Sequence, residues 1–159
     1  MELTGDEKKS TSDLHLLTAK PFVYAVNVAE DRVNTLDSEL RAITGIIDTQ
    51  IPVLPVSAKI EMDMLEFSDE EKKLFLADMG IDFSPMDTII RTCYDLLGLQ
   101  YYFTAGEIEV RAWTIHKGWT APEAAGVIHT DFQKKFIKAE TVNYRDLLEY
   151  GGWTGAREK

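Results

Sequence analysis

Two uninterrupted apolar runs, FVYAV at 22–26 and IPVLPV at 51–56, flank a stretch in which Leu36, Leu40, Ile43 and Ile47 recur at helical spacing. No other feature narrows the fold so far. A strand with no polar face fits a parallel sheet covered on both sides. Strand, helix and strand over about 35 residues then make one right-handed βαβ unit. Pro52 and Pro55 each remove a ladder donor, so the second strand should be short or near an edge.

The next segments carry helix punctuation. Ser68-Asp69-Glu70-Glu71 is a capping box and Gly80 a terminator. Ser84-Pro85 opens a further helix whose stripe Ile89, Ile90, Cys93, Tyr94 and Leu97 should face a core, with Gly98 ending it. After Gly98 the period drops from 3.6 to 2. LQYYFTAG and EIEVRAWTI predict two strands joined by a turn at Ala105-Gly106-Glu107. Thr120-Ala121-Pro122-Glu123 is a second capping box, opening a helix through about Asp131. FIKAETV at 136–142 predicts a third strand, and 143–149 a short helical turn. Hairpin, helix, strand and short helix are the start of a β-grasp module. The fold expected is therefore α/β in two parts, residues 1–98 and 99–159, after a polar leader (1–13) that is a helix end or disordered.

Charge separates the same two parts. Of the net −10, residues 1–98 hold nine Lys and Arg against nineteen Asp and Glu, and residues 99–159 hold eight of each. Bulk attraction to nucleic acid is not expected of the first part, whereas the second can carry a local basic patch. Lys134, Lys135 and Lys138, with His116 and Lys117, interleave with Trp113, Trp119, Phe132 and Phe136. That pattern fits either an RNA-contacting face or an aromatic core with lysines outside. The single cysteine, Cys93, excludes an internal disulfide, fits a reducing cytoplasm and reads as a small core residue. No membrane-length apolar run occurs, and the polar, acidic MELTGDEKKSTSD is not expected to be a secretory leader. His15, His116 and His129 are too scattered to suggest a metal, and no catalytic Ser/His/Asp or Cys/His arrangement stands out.

Ligands of open α/β sheets bind beyond the carboxyl ends of the strands. Those ends here carry Asn27-Val28-Ala29-Glu30 and Ser57-Ala58-Lys59. Each alone is ordinary turn chemistry. As a pair on successive tips they are similar to the base-reading loops of GTPases, Asn-Lys-x-Asp and Ser-Ala-Lys. The aspartate of that pattern accepts two hydrogen bonds from guanine; here Val28 replaces the lysine and the longer Glu30 the aspartate. Asn27 can still face a purine ring nitrogen, and the Val28 carbonyl can accept from an adenine amine. Lys59 can lay its stem over the base or stay solvated. These loops read as a purine site relaxed or switched towards ATP, against the plainer alternative of a strand-end turn with a solvated acid.

LLTAKPFVYAVNVAED, PVSAKIE, YDLLGLQYYFTAGEIEVRAWTI and GWTAPEAAGVIHTDFQKKFIKAETVNYRDLLEYGG strongly resemble the YchF family of Obg-related, ribosome-binding P-loop ATPases and GTPases. The resemblance spans essentially the whole chain. It implies the later part of a nucleotide-binding domain followed by an incomplete β-grasp domain of the TGS type. It places the family's Asn-x-x-Glu signature, linked to ATP in preference to GTP, on Asn27, Val28, Ala29 and Glu30, and its last base loop on Ser57, Ala58 and Lys59. It also implies a ribosomal or RNA partner and Mg²⁺ in the full-length protein. The chain contains no Gly-x-x-x-x-Gly-Lys-Ser/Thr, so the phosphate cradle and the Mg²⁺ ligands are expected upstream of it, and hydrolysis by the chain alone is not. The other reading is a non-enzymatic RNA- or ribosome-binding β-grasp module with a vestigial nucleotide half.

Overall fold

The computed structural model describes residues 10–106 and 108–158, and the chain divides into two compact units, Met1–Gln100 and Tyr101–Lys159. Most of the polar leader, and Glu107 of the predicted turn, lie outside the described residues.

In the first unit, strands β1 (Tyr24–Asn27) and β2 (Val53–Val56) pair in parallel, with Tyr24 opposite Val53 and Asn27 opposite Val56. The crossover between them carries helix α1, Asp37–Thr44. It is shorter than the apolar spacing predicts, leaving Leu36 and Ile47 outside. The cause is Gly45, which takes the left-handed conformation (φ 73°) and donates its N–H to the Arg41 carbonyl, closing the last turn. Of the predicted stripe only Leu40 is buried, and Ile47 is 91% exposed. Nor is β1 covered on both faces, since Phe22 and Tyr24 are exposed at its start.

Helix α2 (Ala58–Asp63) leaves the tip of β2 directly, and a short 3₁₀ turn, Met64–Glu66, continues it. Helices α3 (Asp69–Asp78) and α4 (Pro85–Leu96) follow. Both begin as their sequences predict. The Ser68 N–H donates to Glu71 Oε2 (2.7 Å) while Ser68 Oγ accepts from the Glu71 N–H (3.4 Å), and Ser84 Oγ accepts from the Asp87 N–H (3.1 Å). The α4 stripe is only partly covered: Ile89, Cys93 and Tyr94 are half-buried, Ile90 and Leu97 exposed. The core gathers around Val33, Ile60 and Met64, with Val28, Phe67, Phe75, Leu76, Met79 and Ile81 packed against them. Ile60 is completely buried, and its burial is worth about 1.5–3 kcal/mol. Because Ile60 follows Lys59 and Val28 follows Asn27, this core is the floor on which both strand tips rest.

Strand β3 (Leu99–Ala105), which runs from the last two residues of the first unit into the second, pairs with β4 (Val110–His116). The four-residue connection is too short for a parallel crossover, so they form a hairpin. Trp113 Nε1 donates across it to Thr104 Oγ1 (2.9 Å), and the Gly106 N–H donates to the Glu109 carbonyl (2.9 Å). The predicted helix from Ala121 stops at Gly126 (α5), and a second, α6, runs Thr130–Lys134. His129 makes the break by accepting the Asp131 N–H on Nδ1 (3.1 Å), so it caps the start of α6. Gly126 lets Gln133 pack closely, because a Cβ there would stand 3.2 Å from Gln133 Cβ and 2.9 Å from its mobile Oε1. Residues 136–142 form no strand. Among the described residues β3 and β4 pair only with each other, and a segment becomes a strand only on a partner's edge. Short helices α7 (Tyr144–Glu149) and α8 (Trp153–Arg157) follow, and Arg157 returns to Glu140 through two 2.7 Å bonds.

Candidate functional site

The parallel register brings the ends of both strands to one place. Asn27 is the last residue of β1, and its partner Val56 immediately precedes Ser57. The Val28 N–H donates to the Val56 carbonyl (2.8 Å), carrying the ladder one residue past the strand. Beyond it, side chains take over. The Ala58 N–H donates to Asn27 Oδ1 (3.2 Å), so the β1 asparagine caps a backbone donor at the start of α2. Among the described residues the Asn27 Nδ2 has no acceptor, which leaves an exposed amide donor at the tip, the group a purine ring nitrogen requires.

Lys59 joins the loops a second time. Its Nζ donates to Glu30 Oε1 at 2.9 Å and to Asp63 Oδ2 at 3.0 Å. The bond to Glu30, then that to Asp63, holds the Lys59 ammonium above the ordinary lysine range. Glu30 opens a 3₁₀ turn, Glu30–Arg32, which presents its carboxylate towards α2. Val28 turns inward onto the core, so only its backbone is available at the tip. Ser57 is also turned inward: it is fully buried and its hydroxyl caps α2 by accepting the Ile60 N–H at 3.4 Å. The tip therefore offers the Asn27 amide, the Val28 carbonyl and the Glu30–Lys59 pair, while Ser57 and the Ala58 N–H hold the loop in shape.

Asp63 was not singled out by sequence, although its spacing of four from Lys59 on a helix is the signal that finds it. Lys134 and Lys135 lie at the C-terminal end of α6 and Lys138 on the irregular segment after it, all three exposed. Among the described residues no group of three or more His, Cys, Asp or Glu is placed to hold a metal. No described helix is long and apolar enough to cross a membrane.

A parallel strand pair with Asn-x-x-Glu and Ser-Ala-Lys on its tips, followed by a hairpin-and-helix unit, defines a mixed α/β chain. The solved structure of the Schizosaccharomyces pombe YchF GTPase matches it with a TM-score of 0.78 at 38% identity, covering 99% of this chain and 43% of that one. Residues 99–159 match the family model described as YchF-GTPase_C, protein of unknown function (DUF933). Among curated proteins, the ribosome-binding ATPase YchF of Bacillus subtilis (strain 168) is 48% identical over 163 residues, covering 99% of this chain and 44% of that protein. The Obg-like ATPase 1 of Caenorhabditis elegans is 42% identical over 155 residues, covering 94% and 39%. Over nearly its whole length the chain is similar to these YchF and Obg-like proteins, and it spans less than half the length of each.

Proposed function

We propose that this chain supplies the purine-reading tip and a TGS-type β-grasp module of a ribosome-associated, cytoplasmic NTPase that prefers ATP to GTP. The observation that carries the reading is the double tie between the tips, Asn27 to Ala58 and Glu30 to Lys59. Two loops some thirty residues apart are thereby fixed as one surface at the carboxyl end of a parallel sheet, where α/β folds bind ligands. The names of the relatives, ribosome-binding ATPase and Obg-like ATPase, support the same reading.

An adenine would meet the Asn27 amide at a ring nitrogen and give its exocyclic amine to the Val28 carbonyl, with the Lys59 stem against its face. ATP bound there supplies the phosphoryl group. This chain's residues bind and orient the base only, because no phosphate-cradling motif occurs among them. Mg²⁺ would sit on the ATP phosphates, away from these base-reading residues.

The test is base preference in the protein as its gene encodes it. Val28→Lys with Glu30→Asp restores the guanine fork and should shift competition calorimetry towards GTP by about 1–3 kcal/mol, the scale of a bidentate base contact. An unchanged ATP-to-GTP ratio would remove these loops from base reading.

A further inference from the structure

Lys59 is shared between two carboxylates, and only one of them belongs to the base-reading loops. Asp63 lies one helical turn beyond it, is partly exposed, and among the described residues bonds through its side chain to Lys59 alone. Helix stability gives only weak support to an acid there, because lysine before aspartate is the weaker order for an i,i+4 pair.

Its effect reaches the tip through Lys59. An ammonium on a long, exposed stem with a single carboxylate partner is loosely placed; a second partner from the same helix fixes it. So fixed, Lys59 occupies Oε1 of Glu30. Guanine reading by a carboxylate needs both oxygens, one for the ring N–H and one for the exocyclic amine. Adenine presents neither donor at those positions.

We propose that Asp63 is a specificity-determining positioning residue: by anchoring Lys59 over Glu30 it keeps one carboxylate oxygen occupied, which penalises guanine and leaves adenine untouched. The inference rests on the base-site reading above and extends it to a residue that touches no nucleotide. Discrimination here works partly by denying the wrong ligand its partner.

The experiment compares Asp63→Asn, Asp63→Glu and the unaltered protein, as the gene encodes it, in competition titrations with ATP and GTP. The pH titration of the Lys59 ε-carbon is followed by NMR in the same samples. With Asp63→Asn the GTP affinity should rise about two- to fivefold, the size of one exposed ion pair, and the ATP affinity should stay unchanged. The Lys59 pKa should fall towards its ordinary value. Asp63→Glu should restore both. Lys59→Gln, which removes the same bond from the other side, must move the GTP-to-ATP ratio the same way even if it weakens both nucleotides. A lowered Lys59 pKa with an unchanged ratio in Asp63→Asn overturns the proposal, as does equal weakening of both nucleotides. Failure of the unaltered protein to shift its Val28 and Ala58 amides with either nucleotide is a distinct result: it overturns the base site itself, and this inference with it.

Discussion

Arg41 ties the crossover helix to the strand that follows it. Its Nε donates to Asp37 Oδ2 (2.6 Å) and its Nη2 to the Ile51 carbonyl (2.7 Å), while Nη1 reaches the Asp48 carbonyl. Only 13% of the side chain is exposed. Arg41→Ala should therefore cost about 1–3 kcal/mol in urea unfolding, because two loop carbonyls lose a charged donor. Arg41→Lys should recover only part of that, having no planar fork. An unchanged midpoint for Arg41→Ala would make the contact incidental. Residues of this kind were not legible beforehand, since a bond to the carbonyls of 48 and 51 depends on the path of the loop and not on a motif. Asn27, Glu30, Ser57 and Lys59 were legible as a group because they sit at strand ends. What they bond to was not: Ser57 turned out to cap a helix, and Glu30 to pair with Lys59.

Elements whose starts are written in three or four residues were the most readable. The capping boxes of α3 and α5 form, each with a carboxylate accepting the N-cap backbone N–H at 2.7 Å. That bond and the cap hydroxyl hold the Glu71 and Glu123 carboxyls below the ordinary range. A carboxyl so lowered stabilises the fold above its unfolded pKa, and the contribution disappears as pH falls through the folded value. Ser68→Ala should lower stability by about 0.5–2 kcal/mol at neutral pH. Denaturation midpoints taken from neutral pH to below the ordinary glutamate value should fall less steeply in Glu71→Gln than in the unaltered chain. Parallel acid limbs would show that the box does not feel the charge. Where elements end was harder to read. The break at Val127–His129 goes with His129 capping α6 through its ring, a bond no motif announces, and the alternation at 136–142 describes two faces without supplying the edge that would make them a strand.

At the scale of the whole molecule, the apolar pattern correctly announced a parallel pair but could not say what covers it. Phe22, Tyr24, Leu36, Ile43 and Ile47 remain exposed around two strands, whereas parallel sheets are ordinarily covered on both faces. The relatives this chain matches are more than twice as long. In the second unit, Lys134, Lys135 and Lys138 are exposed, and the proposed function has them meet ribosomal phosphates. Ribosome co-sedimentation over a salt series should lose about one unit of log–log slope for each of them that makes a phosphate contact. Equal binding by the triple Lys→Ala variant at every salt concentration would leave them a solvated face. The central claim, that the tips of β1 and β2 are one adenine-reading surface, is tested most directly by titrating the ¹⁵N-labelled 159-residue chain with ATP. The account predicts amide shifts centred on 27–30 and 57–59 that GTP reproduces only at higher concentration, and that Asn27→Ala abolishes. Shifts centred elsewhere, or tips that stay silent at millimolar ATP, would contradict it.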